Sequence, residues 1–137
     1  MKFKKLNLGW NVEPNAPNLN LTIQGDTLRL EFLLNYMKFP HILEGEKGEL
    51  IFKKCYKYNY NFCNDEGYYR GQYRYNYKEL PWGEFYELHT DWENDFPTDS
   101  KIIREHLGKE NFKHFIFFFR DSTFECLAEE YEFRRHL

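Results

Sequence analysis

The chain has 137 residues and a net charge of −3. That length fits one domain able to bury roughly two-thirds of its unfolded surface without a disulfide or metal staple, and the charge is too mild to argue for nucleic acid or membrane by itself. The mean hydropathy of −0.81 hides 14 Phe, 11 Tyr and 3 Trp, whose large buriable area argues against a disordered chain.

Lys2, Lys4 and Lys5 imitate the start of a signal peptide, but Asn7, Gly9, Asn11 and Glu13 interrupt any apolar core behind them. No apolar run reaches bilayer-spanning length. Cys55, Cys63 and Cys126 are an odd number without Cys-x-x-Cys spacing, which fits a reducing compartment. The expectation is a soluble, cytoplasmic protein.

Leu6, Leu8 and Trp10 alternate with polar residues and predict a short first strand; Pro14 and Pro17 mark a loop. Leu19, Leu21 and Ile23, then Leu28, Leu30, Phe32 and Leu34, alternate on either side of Gln24-Gly25-Asp26. This is a hairpin with Arg29 and Glu31 turned outward. Residues 36–48 read as a connection. Segments 50–62 and 68–78 form a second hairpin around 63–67, and 84–88 a further short strand. Pro97, Thr98 or Asp99 as N-cap, Ile102, Ile103 and Leu107 at helical spacing, and Gly108 predict a helix near 99–107.

The end of the chain is the most telling. Phe115 to Phe119 is a near-continuous aromatic run that breaks at Arg120-Asp121-Ser122 and returns as an alternating segment. A strand apolar on both faces belongs inside a sheet. In the returning strand Phe124, Cys126 and Ala128 share one parity and Tyr131 and Phe133 the other, which predicts a β-bulge near Glu129-Glu130. The expected fold is therefore mostly β, a β-rich α+β single domain over 1–137. Its antiparallel sheet is curled or barrel-like and carries one short helix.

Charge is segregated along the chain. Residues 53–78 hold Lys53, Lys54, Lys57, Arg70, Arg74 and Lys78 with eight of the tyrosines, whereas 79–99 hold Glu79, Glu84, Glu87, Asp91, Glu93, Asp95 and Asp99 without Lys or Arg. Cations interleaved with rings are the composition of a single-stranded nucleic-acid site, here Lys57, Arg70, Arg74 and Lys78. Period-two geometry instead favours burying Tyr56, Tyr58, Tyr60 and Phe62 as one aromatic face, leaving the cations solvated.

The acidic stretch surrounds Trp82, Trp92 and Phe96. An aromatic anchor rimmed by carboxylates suits recognition of a basic protein partner, so Trp82, Asp91, Trp92, Glu93 and Asp95 are the candidate interaction residues. Asp91-Trp92-Glu93-Asn94-Asp95 does not match a calcium loop, since Phe96 and Ile102 stand where its glycine and glutamate belong. Five histidines show no metal-ligand spacing. Ser100 and Ser122 lack a nucleophile motif, and Cys126 reads as an inert buried thiol. No catalytic residue, metal or cofactor is expected.

The tail Phe119-Arg120-Asp121-Ser122-Thr123-Phe124-Glu125-Cys126-Leu127-Ala128 resembles an ending of small uncharacterised bacterial proteins, with an aromatic strand, a His-Asp or Arg-Asp turn and Phe-Glu-Cys-x-Ala. The resemblance covers the last quarter of the chain and brings no activity with it. It implies by analogy an accessory or immunity-like factor. Within it Glu125 is the one charged residue in an apolar strand, expected to face solvent. The function expected is non-catalytic protein–protein recognition, with single-stranded nucleic-acid binding as the alternative and self-association open.

Overall fold

The computed structural model describes residues 2–15, 17–62, 80–105, 108 and 111–137. Among these residues eight strands form one antiparallel sheet: β1 (Lys2–Lys5), β2 (Asn20–Gln24), β3 (Thr27–Leu33), β4 (Lys47–Asn61), β5 (Phe85–His89), β6 (Lys101–Ile102), β7 (Lys113–Phe118) and β8 (Thr123–His136). Their order is β1-β5-β7-β8-β4-β3-β2, with β6 beside β4, so β1 and β2 are edges and the sheet is not closed. Among the described residues one short helix, α1 (Trp92–Asp95), follows β5. No helix among the described residues is long and apolar enough to cross a membrane.

Two predicted elements move. The helix expected near 99–107 is absent from the described part of that span, where Lys101–Ile102 pairs with Tyr58 and Lys57. The main-chain N–H groups of Ile103 and Arg104 then donate to the Tyr56 carbonyl. A helix this short has few bonds to offset its nucleation cost, and the neighbouring β4 backbone offers those groups an acceptor instead. The first strand lies at Lys2–Lys5 rather than Leu6–Trp10. It pairs with β5, while Leu8 is exposed and Trp10 turns into the core. The hairpin proposed for 50–62 and 68–78 has its second arm outside the described residues.

The expected hairpin of β2 and β3 forms, with Gln24 opposite Thr27 across Gly25-Asp26. Gly25 takes φ 63°, a left-handed conformation that a two-residue hairpin turn requires and glycine adopts without steric cost. β7 lies between β5 and β8, as its apolar faces predict. On the inner face Phe115, Phe117 and Phe119 join Phe32, Phe52, Phe85 and Phe124 in one cluster. The opposite face of β7 presents His114, Ile116 and Phe118.

β8 commits both parities to the same core. Phe124, Cys126 and Ala128, then Tyr131 and Phe133, all pack in the inner cluster. The register shift lies across from this switch, between Cys55 and Lys57 of β4, rather than at Glu129-Glu130. Lys54, one residue before Cys55, adopts φ 52°. A bulge sharpens local twist, so the two long strands coil together and keep supplying side chains to one interior.

Trp10 closes that interior from a loop, stacking on Phe133 at 4.1 Å and 3° between planes, with Phe32 at 5.7 Å. Beneath it, a Cβ at Gly48 would stand 2.9 Å from Leu34 Cδ2 and from Phe32 Cε2, and 3.0 Å from Phe133 Cε1. Since Leu34 and Phe32 are each 1% exposed, they have no free space to retreat into.

The connection before β4 is pinned by Glu46. Its Oε2 and Oε1 accept from Arg135 Nε and Nη2 at 2.6 and 3.1 Å, and Oε1 also accepts the Leu43 N–H at 3.0 Å. The Arg135 hydrogen bonds hold the Glu46 carboxyl below its ordinary pKa.

Two outcomes follow from this packing. Gly48→Val should destabilise the fold by about 1–3 kcal/mol through overpacking, read from urea unfolding. Glu46 has a depressed folded-state pKa, so its contribution is present above the usual carboxylate range and lost as pH falls through the depressed value. Glu46→Gln should therefore lower the urea midpoint at neutral pH, and its deficit against the parent should shrink as the medium is acidified.

Candidate functional site

β5 sets the layout of the acidic stretch. Trp82 precedes it, in a turn where Gly83 has φ 89°, and α1 follows it. The five residues of β5 span roughly 16 Å at about 3.3 Å each. The structure thus does not bring Trp82 together with Asp91, Trp92, Glu93 and Asp95, and the single patch expected from composition becomes two separate places.

At the far end of β5 the chain makes one helical turn. Asp91 precedes it without a side-chain cap, and its Oδ2 accepts from Asn94 Nδ2 at 2.8 Å. Asp91 and Glu93 are exposed, neither enters an ion pair among the described residues, and Asp95 ends the same turn. Trp92 is half-buried, its ring 6.2 Å from Tyr56 and 5.9 Å from Phe112. Phe96 is buried beneath the turn with its ring 5.2 Å from His114. The aromatic footing holds the carboxylates on a fixed corner.

Near the start of β5, Trp82 packs on Phe118 at 4.6 Å between centroids. It borders an open cleft of about 390 Å³ that also includes Asn11, Asn15, Asn35, Lys38 and Arg120. Among these residues sequence reasoning singled out Trp82 alone. The others come from distant loops, and no local spacing announces them.

Of the alternative nucleic-acid residues, Arg70, Arg74 and Lys78 lie outside the described residues. Lys57 has its Nζ 5.2 Å from both the Tyr56 and the Phe96 ring centroids, so its charge is engaged by this chain's own rings. The single buried tyrosine face does not form in β4. Tyr56 packs with Phe112 and Trp92, Tyr58 with the inner core, Tyr60 is 37% exposed and Phe62 82% exposed. The shift between Cys55 and Lys57 sends Tyr56 and Tyr58 to opposite sides despite their shared parity.

Glu125 departs furthest from expectation. It is fully buried rather than solvent-facing. Its Oε1 lies 3.0 Å from His114 Nε2, and His114 Nδ1 lies 2.7 Å from the Thr90 hydroxyl. A donated Nε2 proton on the carboxylate leaves Nδ1 to accept from Thr90, a chain in which each ring nitrogen has a partner. The pair is formed by neighbouring strands and closed over by Phe96, which makes it a strut between β7, β8 and the acidic corner.

A second unforeseen cluster lies on the outer face of the sheet, where ligand atoms of Glu31, Glu49 and His136 fall within 4.8 Å of one another. Three strands supply them, so no linear motif could show it. These are the described residues that would offer a divalent ion one imidazole nitrogen and two carboxylates. Each carboxylate already has a cation, Glu31 with Lys47 at 3.4 Å and Glu49 with Arg29 at 3.0 Å. Cys126 is buried as expected; burial pushes its thiol well above the usual pKa, and the Cys55 thiol adds to the shift.

The buried pair makes a direct prediction. Glu125→Ala should cost about 1–3 kcal/mol, because it leaves the buried His114 Nε2–H without its acceptor. The double variant His114→Phe, Glu125→Leu should cost clearly less than the sum of the two single changes in denaturant unfolding. Compared with family models, with curated proteins and with solved structures, this chain matches none.

Proposed function

We propose that this protein is a non-catalytic, cytoplasmic binding protein, of accessory or immunity-like type, that recognises a basic surface of another protein through the corner at 91–95. The observation that carries the reading is the uncompensated charge there. Glu46 before β4 and Glu49 and Glu132 on the sheet each meet an arginine or lysine, whereas the exposed Asp91 and Glu93 form no ion pair among the described residues. Unmatched carboxylates on a rigid corner steer a cationic partner and disfavour wrong ones. The half-buried Trp92 beside them has the character of an interface anchor. Cys55 and Cys126, both buried and free, fit a reducing compartment.

The test is affinity capture at low and at physiological salt with the parent and with the Asp91→Ala, Glu93→Ala, Asp95→Ala triple variant. The parent should retain a basic protein that the variant loses by about tenfold or more at equal folded concentration, and the difference should narrow as salt rises. Equal retention of the same protein by both would overturn the assignment.

A further inference from the structure

The cleft beside Trp82 draws its polar described lining from asparagines and two cations. Lys38 comes from the loop after β3 and Arg120 from the β7–β8 turn, and both are exposed. Neither forms an ion pair among the described residues, Lys38 Nζ lying 5.6 Å from the Phe39 ring centroid, and the described residues that line the cleft include no carboxylate. Three acids adjoin lining residues along the chain: Glu84 is held by Asn7 and Lys5 and lies 3.5 Å from Asn11 Nδ2, Glu13 accepts the Asn15 N–H at 3.2 Å, and Asp121 follows Arg120.

The three asparagines reinforce this. Asn11 Oδ1 accepts the Val12 N–H at 2.7 Å, Asn35 Oδ1 accepts the Lys38 N–H at 3.1 Å, and Asn15 Oδ1 accepts from Arg120 Nη1 at 2.9 Å. Because each of those donors is an N–H, the amide orientations are fixed by chemistry: every oxygen is engaged. The Nδ2 groups of Asn15 and Asn35 remain as donors. Asn15 also holds the guanidinium in place across a sequence separation of 105 residues, with further N–H groups to offer. A recess bordered by two cations and by amides whose acceptors are occupied is complementary to an acceptor-only, negatively charged group.

We propose that this cleft binds a small ligand carrying an oxyanion, a phosphate or a carboxylate, with Lys38 and Arg120 as its charge partners. Arg120 can present two parallel N–H groups to such a head group, and Lys38 contributes a mobile point charge. The cleft volume lies in the range of small-molecule sites. The ring wall formed by Trp82 and Phe118 gives the ligand body an apolar surface. This site lies at the opposite end of β5 from the acidic corner and does not depend on it.

Three probes that share a ring and differ in head group test it: phenyl phosphate, benzoate and benzyl alcohol, titrated by calorimetry at low chloride into the full chain. At least one anion should bind, and benzyl alcohol should bind about tenfold more weakly or not at all. Which anion wins tells phosphate from carboxylate. Arg120→Gln and Lys38→Met should each weaken the anion by about tenfold or more, the worth of a charge-assisted hydrogen bond. The melting temperature should stay unchanged, since both side chains are exposed. The triple variant at 91, 93 and 95 should bind the anion like the parent, which separates this site from the partner surface. Failure of both anions, equal binding of benzyl alcohol, or anion binding indifferent to both substitutions would overturn the proposal.

Discussion

Ring-on-ring packing inside a coiled sheet is the constraint on which the rest of this structure depends. Phe32, Phe52, Phe85, Phe115, Phe117 and Phe124 meet at centroid distances between 5.3 and 6.0 Å in mixed tilted, edge and stacked geometries. Aromatic pairs prefer such arrangements to face-to-face sandwiches, and each buried ring contributes roughly 1.5–3 kcal/mol through area alone. A flat sheet could not surround so many rings from one side. The irregularity around Lys54–Lys57 lets β4 and β8 wrap, and Trp10 covers the opening that the edges leave.

Filling one face this way dictates what the other must do. The outward side chains of β7 from His114 to Phe118 and of β8 from Thr123 to Leu127 are also removed from water. Leu80, Tyr86, Ile116 and Phe118 form one apolar group there, and Phe96, Phe112 and Leu127 another. Glu125 and His114 fall in this buried zone and satisfy each other. A lone carboxylate in that position would be costly; paired with an imidazole that Thr90 also holds, it fixes the register of β7 on β8 and the seat of the acidic corner.

The two proposed recognition features are set apart by the length of one strand. β5 carries opposite chemistry at its ends: cations and amide donors beside Trp82, and unmatched carboxylates around Trp92. Neither end is a continuation of a single charged stripe. The cleft is assembled where loops from distant parts of the chain meet the strand, whereas the carboxylates at the other end come from the single turn that follows it.

How much was legible in the residues follows the range of the forces involved. Alternation of Leu28, Leu30 and Phe32, the turn at Gly25-Asp26, and the aromatic run at Phe115–Phe119 express local periodicity, and they sufficed for the β class, the β2–β3 hairpin and the interior place of β7. The parity switch between Ala128 and Tyr131 was also visible, although the compensating shift sits on the partner strand, which only pairing could decide. Ile102, Ile103 and Leu107 have helical spacing, yet the open edge of β4 claimed Lys101–Ile102. The burial of Glu125, the Glu31–Glu49–His136 cluster, the separation of Trp82 from Trp92, and the meeting of Lys38 with Arg120 were settled by tertiary structure. Each depends on which residues stand opposite one another across strands or loops far apart in the chain, and that is a property of the assembled sheet rather than of any segment.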